Sequence, residues 1–436
     1  MTKVLVADET PWSLAQTAQE TGALLIDSPW IQSVDASTWM DRLTSKLLKP
    51  LADPQNLQLQ RNIYGGIHMF FARPATRQLD VEHAKELDDE FFQSRPIGYF
   101  ASRIESLLRD RPKGSAPSFG THGEEFASRC GVESPSDVLG VSEEDWELQV
   151  AVDAFSVRHH AAESLVRLYH ALTIGAESEA AARSTWCAVV EGPSKTVDLV
   201  KQARLFMDSR EGVEDFWRLV FPEKISQHPE MAEEANQSLN VMADWVRHAM
   251  SLLVRDDINI NAANNKIKHG LAVRPKAKTL ATITTIPPNA DGSVPLSALS
   301  DENSFNVLEG ITAEYLSRPQ TPGRRQGLEM TVLNLRPVTL LTEAWLIATV
   351  HAAMFHIAAA KHFADRDVTI QPYPALPLDT TPERVVGGAA IGVRYPVTTP
   401  PDGGLVDRVE GIAFPNHFLS TKFFSEEPQK GVIVDG

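Results

Sequence analysis

The stretch of this chain best suited to chemistry is Asn264-Asn265-Lys266-Ile267-Lys268-His269-Gly270. On a helix, Asn265 and His269 share a face because they lie four residues apart, and Asn264 and Lys268 form a second such pair. Amide, imidazole and ammonium groups would then converge near a helix end. A histidine exchanges a proton near neutral pH, and amide or cationic donors hold the charge that builds on phosphate oxygens, so the grouping suits a phosphodiester. Lys266, Lys268, Arg274, Lys276 and Lys278 fall within 264–278 with no acidic residue among them. The same residues also suit a solvated helix terminus, with His and Lys complementing the macrodipole and Gly270 as the cap.

Other groupings carry less. His159, Glu163 and Arg167 follow one another at four-residue steps, so they could face the basic motif across packed helices, with Glu163 orienting an imidazole. An ordinary surface pair of Glu163 with Arg167 is the competing account. His351, His356 and His362 share one expected helix, but steps of five and six residues scatter them around it, against a zinc site. The glycines of 387–392 lack the lysine and the following helix of a phosphate loop, and read as a strand with close backbone packing. No Gly-x-Ser-x-Gly, His-Glu-x-x-His or Cys-x-x-Cys pattern occurs, which removes the usual support for the common hydrolase and zinc classes.

The motif at 264–270, coming after a long amphipathic helix, resembles the terminal motif of the HEPN superfamily of helical proteins. The helix containing Val157-Arg158-His159-His160 through His170 resembles an earlier helix of such domains. Many HEPN proteins are metal-independent endoribonucleases that work as dimers, with an Arg, an Asn, Asp or His, three further residues and a His lining a cleft between protomers. Residue by residue, His269 matches the family's histidine and Asn265 its polar residue, while Asn264 stands where the family has arginine. The resemblance implies His269 and Asn265 as catalytic residues. Asn264, Lys266, Lys268 and Arg158 would bind substrate, Arg158 as a second source of the missing cation. It implies RNA as partner, a homodimer, no metal or other cofactor, and an endoribonuclease or toxin-type defence effector. An amide supplies neither the permanent charge nor the planar fork of arginine. A non-catalytic HEPN-like protein that binds RNA, a nucleotide or a protein partner is therefore the alternative.

These residues need a scaffold, and the patterning predicts one that is mainly α: a HEPN-like helical bundle core with a small α/β N-terminal segment and a β-containing C-terminal portion. Three parts are expected, at 1–110, 124–272 and 273–436. In the first, 13–20 and 38–48 have helical spacing, 63–71 is β-like, and 83–109 reads as helices broken near Pro96, followed by a loop over 111–123. The core carries two stripes. One is Val157, Ala161, Leu165, Leu168 and Leu172; the other runs from Met231 through Ala235, Leu239, Met242, Val246 and Met250 to Leu253. Shorter helices are expected over 196–207 and 213–220. Beyond it, strands are expected over 279–286, 329–335, 368–377, 385–395 and 409–414, with one long helix over 338–363.

A formal charge of −16 opposes broad nonspecific binding to polyanions, which leaves only a local basic site for that role. The two cysteines, Cys130 and Cys187, fit no metal spacing and no disulfide framework, which suits reduced thiols in a cytoplasmic protein. The N-terminal residues turn acidic and reach Pro11 before an apolar core forms, so no secretion signal is expected. The most apolar stretch, 340–363, contains Glu343, His351, His356, Lys361 and His362, so it reads as a buried helix and not as a membrane span.

Overall fold

The computed structural model describes residues 23–25, 69–71, 81–109, 121–174, 184–223, 225, 231–268, 273–284, 286–287, 289, 293–300, 302–318, 327–375, 379–398 and 410–421. The chain divides into two units, Met1–Asp80 and Val81–Gly436. In the first, β1 (Ala23–Leu25) pairs antiparallel with β2 (Met69–Phe71), which lies inside the strand expected over 63–71. The helices expected over 13–20 and 38–48 lie outside the described residues.

The second unit is mainly helical, with an antiparallel sheet in its C-terminal part. It opens with α1 (Val81–Phe92) and α2 (Pro96–Leu108), separated at Pro96 because proline suits the first turn of a new helix and not the interior of an old one. Both helices pack inside this unit. α3 (Thr121–Cys130) follows. α4 (Glu143–Leu172) then starts on a capping box in which the Ser142 hydroxyl accepts from the Asp145 N–H and the Asp145 carboxylate accepts from the Ser142 N–H. Glu143, Glu144 and Asp145 in its first turn complement the positive end of the helix dipole.

α5 (Thr185–Glu191), α6 (Thr196–Met207) and α7 (Arg210–Val220) are short. α8 (Ala232–Val254) buries Ala235, Met242, Val246, Met250 and Leu253 of its expected stripe, while Met231 lies just before it and is exposed. On α4, Val157, Ala161, Leu165 and Leu168 are likewise enclosed. α9 (Ile260–Lys268) carries most of the basic motif. α10 (Pro337–His362) is apolar nearly all round, which suits a helix surrounded by protein. It packs most extensively on α4, with α1, α2, α7 and α8 around it. Among the described residues α10 alone is long and apolar enough to cross a membrane, and most of it is buried inside the protein.

The sheet runs β3 (Arg274–Thr284), β4 (Ser304–Ser317), β5 (Glu329–Asn334), then, after the single-turn helix α11 (Pro382–Val386), β6 (Gly392–Pro396), β7 (Gly411–Ala413) and β8 (Phe418–Ser420), each pairing antiparallel with the next. Ala313, Tyr315, Leu333 and Ala413 join the helical core, while Val332, Val393 and Ile412, direct cross-strand neighbours, build a second small core. Pairing residues point to the same face of a sheet, so the two cores lie on opposite sides of it.

Three expectations change. The stretch 368–377 forms no strand over its described residues, 368–375, because its polar groups bond to helices instead. The Gln371 carbonyl lies 2.7 Å from His356 Nδ1, and Gln371 Oε1 accepts from the Ile97 N–H at 3.3 Å. The stretch 385–395 is divided between α11 and β6, with Gly387 at a left-handed φ of 66° ending the helix. Finally β4, the longest strand, matches no expectation: its buried and exposed positions do not alternate, because one part faces the helical body and a register shift interrupts another.

Candidate functional site

The position of α9 is fixed from the sheet side. The Tyr315 hydroxyl lies 2.8 Å from the Ile258 carbonyl and 2.9 Å from that of Asn259, and Arg394 donates to the carbonyls of Asp256 and Asp257. Gly392 permits this approach, since a Cβ there would stand 2.2 Å from the Val332 carbonyl oxygen and 3.0 Å from Ile258 Cδ1. The turn between α8 and α9 is thus pinned, and α9 is laid against α4. The contact is polar: His159 Nε2 lies 3.2 Å from Asn261 Oδ1. This bond runs through Asn261, which precedes the motif, while Glu163 bonds Arg167 of its own helix and not an imidazole.

The motif residues separate on that helix. Asn264 is 1 % exposed, and neither its Oδ1 nor its Nδ2 has a hydrogen-bond partner. Asn265 and Lys268 are exposed and Lys266 is half-buried. His269 and Gly270 lie outside the described residues. The basic run is also partly offset, because Arg274 and Lys276 on β3 share the single carboxylate of Glu314 on β4, at 2.5 and 2.6 Å. An acid absent from the neighbouring sequence arrives from the paired strand.

Arg158 is not at the motif's surface. Its Nη1 bonds Glu343 Oε2 at 3.1 Å in the core between α4 and α10, and His248 Nε2 approaches the other oxygen at 2.7 Å. Burial alone would raise the Glu343 pKa, but Arg158 and His248 outweigh it and hold the group below the ordinary carboxylate value. This cation stabilises a buried anion and has no reach to a ligand on the α9 surface.

What gathers near Lys268 is a different set. Burial lowers the His159 pKa to about 4, with Arg158 and Lys268 adding to the shift. His160, one residue on and half-buried, is also lowered, by burial first and then by Lys268 and Arg103, against an opposing pull from Glu163. Arg103 Nη1 lies 3.2 Å from His160 Nδ1 and 3.0 Å from the Tyr99 hydroxyl, tying α2 to α4. Arginine only donates, so Nδ1 of His160 is the acceptor and the neutral ring carries its proton on Nε2. Arg167 and Glu163 make a half-buried pair at 2.9 Å.

Beside these groups an open groove of about 460 Å³ runs between α2 and α4. Pro96, Tyr99 and Phe100 line it from α2, His160, Glu163, Ser164 and Arg167 from α4, and His351 of α10 also borders it. The three histidines of α10 have separate surroundings, since His356 meets the Gln371 carbonyl and His362 binds Asp89 at 2.6 Å. Sequence reasoning had no signal for Arg103 and Tyr99 beside His160, because nothing local places α2 beside α4. Comparison of the chain with protein-family models, curated proteins and solved structures finds no match.

Proposed function

We propose that this protein binds single-stranded RNA, its phosphates held by Lys268 and Lys266 of α9 and Arg103 of α2 beside the α2–α4 groove. The observation that carries the reading is electrostatic. Burial first, and then Lys268 of α9 and Arg103 of α2 against an opposing Glu163, lower the His160 pKa, so cations from two separate elements act at one place in a chain of charge −16. An open groove with aromatic walls and a cationic edge suits a strand that tracks its backbone along charge and turns its bases inward. The HEPN resemblance of 264–270 supports the same ligand. The interior position of Asn264 and the buried pairing of Arg158 favour binding without cleavage.

The test is anisotropy of a labelled single-stranded RNA across a salt series. Three phosphate contacts give a slope of log K against log salt of about −2, from roughly 0.7 per contact. Lys268→Glu is expected to weaken binding about tenfold or more and to flatten that slope. Binding unaffected by Lys268→Glu would refute the site.

Cleavage is the second reading, favoured by the neutral, half-buried His160 ring in the same groove and by the family role of His269 as general acid/base with Asn265. The same labelled RNA, run on a denaturing gel after incubation with chelator, distinguishes the two. Cutting that is abolished by His269→Ala while binding persists would establish the metal-independent nuclease; intact RNA leaves the binding protein.

A further inference from the structure

The groove has two chemical characters. Its rim is charged, through Arg167 with Glu163 and through His160 held by Arg103. Its α2 wall is apolar, made by Pro96, Phe100 and the ring of Tyr99. The groove is also lined by the Ser164 hydroxyl and, from α10, by the imidazole of His351. Its Nδ1 is enclosed and has no hydrogen-bond partner, and burial lowers its pKa to about 4. A buried ring nitrogen left unbonded costs stability, and native interiors contain few of them. A residue placed only for packing, stacked as this one is on Phe355 at 6.0 Å, would serve as well without nitrogen atoms.

The chemistry selects the occupant. A phosphate fits poorly beside Glu163, where its desolvation would meet a neutral imidazole and no free cation. An aliphatic ligand would leave the imidazole unbonded. A planar neutral ring with donors and acceptors on its edge suits the apolar wall, and where the 7 % exposed His351 reaches the groove a neutral histidine offers such an edge an N–H or a lone pair. At the mouth, Tyr99 is 54 % exposed and the Arg103 guanidinium stands 5.6 Å from its ring centroid, an aromatic and cationic platform of the kind on which bases stack. The groove volume lies in the range of small-molecule sites.

We propose that this groove seats one unpaired nucleobase of the bound strand, its ring on Phe100 and Pro96 and its edge hydrogen-bonded to His351. The assignment rests on the RNA reading for the strand, while the seat itself is testable with free nucleosides, which carry no phosphate.

The experiment is calorimetric titration of the full chain with adenosine, guanosine, cytidine and uridine, beside anisotropy with a single-stranded RNA and its abasic counterpart. At least one nucleoside is expected to bind, and the abasic strand to bind more weakly than the intact one. His351→Leu is expected to weaken nucleoside binding about tenfold, the equivalent of one buried hydrogen bond, while the thermal midpoint holds or rises. Ser164→Phe, which fills the groove from α4 without touching His351, should abolish nucleoside binding and leave the Lys268 dependence of RNA binding intact. The seat is overturned if no nucleoside binds, or if both variants bind as the wild type does. In that event Lys268-dependent, salt-sensitive RNA binding would still stand. Nucleoside binding through His351 without any RNA binding would instead remove the strand and the RNA reading, and keep the groove as a heterocycle site.

Discussion

Asn264 occupies the place where the resembled motif has arginine, and the fold encloses it completely. Both of its amide atoms lack partners. A buried, unbonded amide forfeits its hydration and gains nothing in return, at a cost of about 1–3 kcal/mol. Asn264→Leu, similar in volume and free of polar atoms, is therefore expected to raise unfolding stability by about that amount in a urea titration while leaving RNA affinity unchanged. A stability loss, or a loss of RNA affinity, would show that the amide serves a ligand. The sequence could pair Asn264 with Lys268 on one helical face; it could not say that the first would point inward and the second outward at the helix end.

Between elements, the contact of α4 with α10 depends on one ion pair as well as on apolar packing. Arg158 and Glu343 are 7 % and 2 % exposed as side chains, with His248 completing the site. Removing one partner of a buried pair leaves an uncompensated charge, at a cost of about 3–5 kcal/mol, whereas replacing both by apolar groups is often near neutral. Arg158→Met is expected to show that loss in denaturant midpoints, and the added Glu343→Leu to recover most of it. A single variant that costs under about 1 kcal/mol would contradict the role given to the pair. This contact was illegible in sequence, since Arg158 and Glu343 lie 185 residues apart and nothing local pairs them.

For the molecule as a whole, α4 and α10 are the helices on which the surrounding elements pack, and each carries a buried imidazole. His159 and His351 both titrate near 4 when folded, against an ordinary value of 6.5. As pH falls through 6.5 the unfolded chain takes up these two protons and the folded protein does not. Stability from this source is thus full above pH 6.5, declines from 6.5 to about 4, and levels below that. Urea midpoints measured between pH 7 and pH 4 should follow that decline, with His351→Leu reducing its size. A midpoint independent of pH across the window would mean that both rings are protonated in the folded protein.

What the sequence determined by itself was local. Periodicity gave the mainly helical class, the break at Pro96, the buried stripes of α4 and α8, and the buried character of α10, because side-chain spacing within one helix decides which face is apolar. Patterning failed where a segment's neighbours come from elsewhere, as for β4, whose faces meet different surroundings, and for 368–375, whose bonds go to helices. The candidate site belongs to the second kind. The sequence marked Lys266 and Lys268 as basic, but only the tertiary structure withdrew Arg158 into the core and paired Arg274 and Lys276 with the one carboxylate of Glu314. Only it set Arg103, His160 and the α2–α4 groove beside Lys268. Charge acts through space, over distances that residue number does not record.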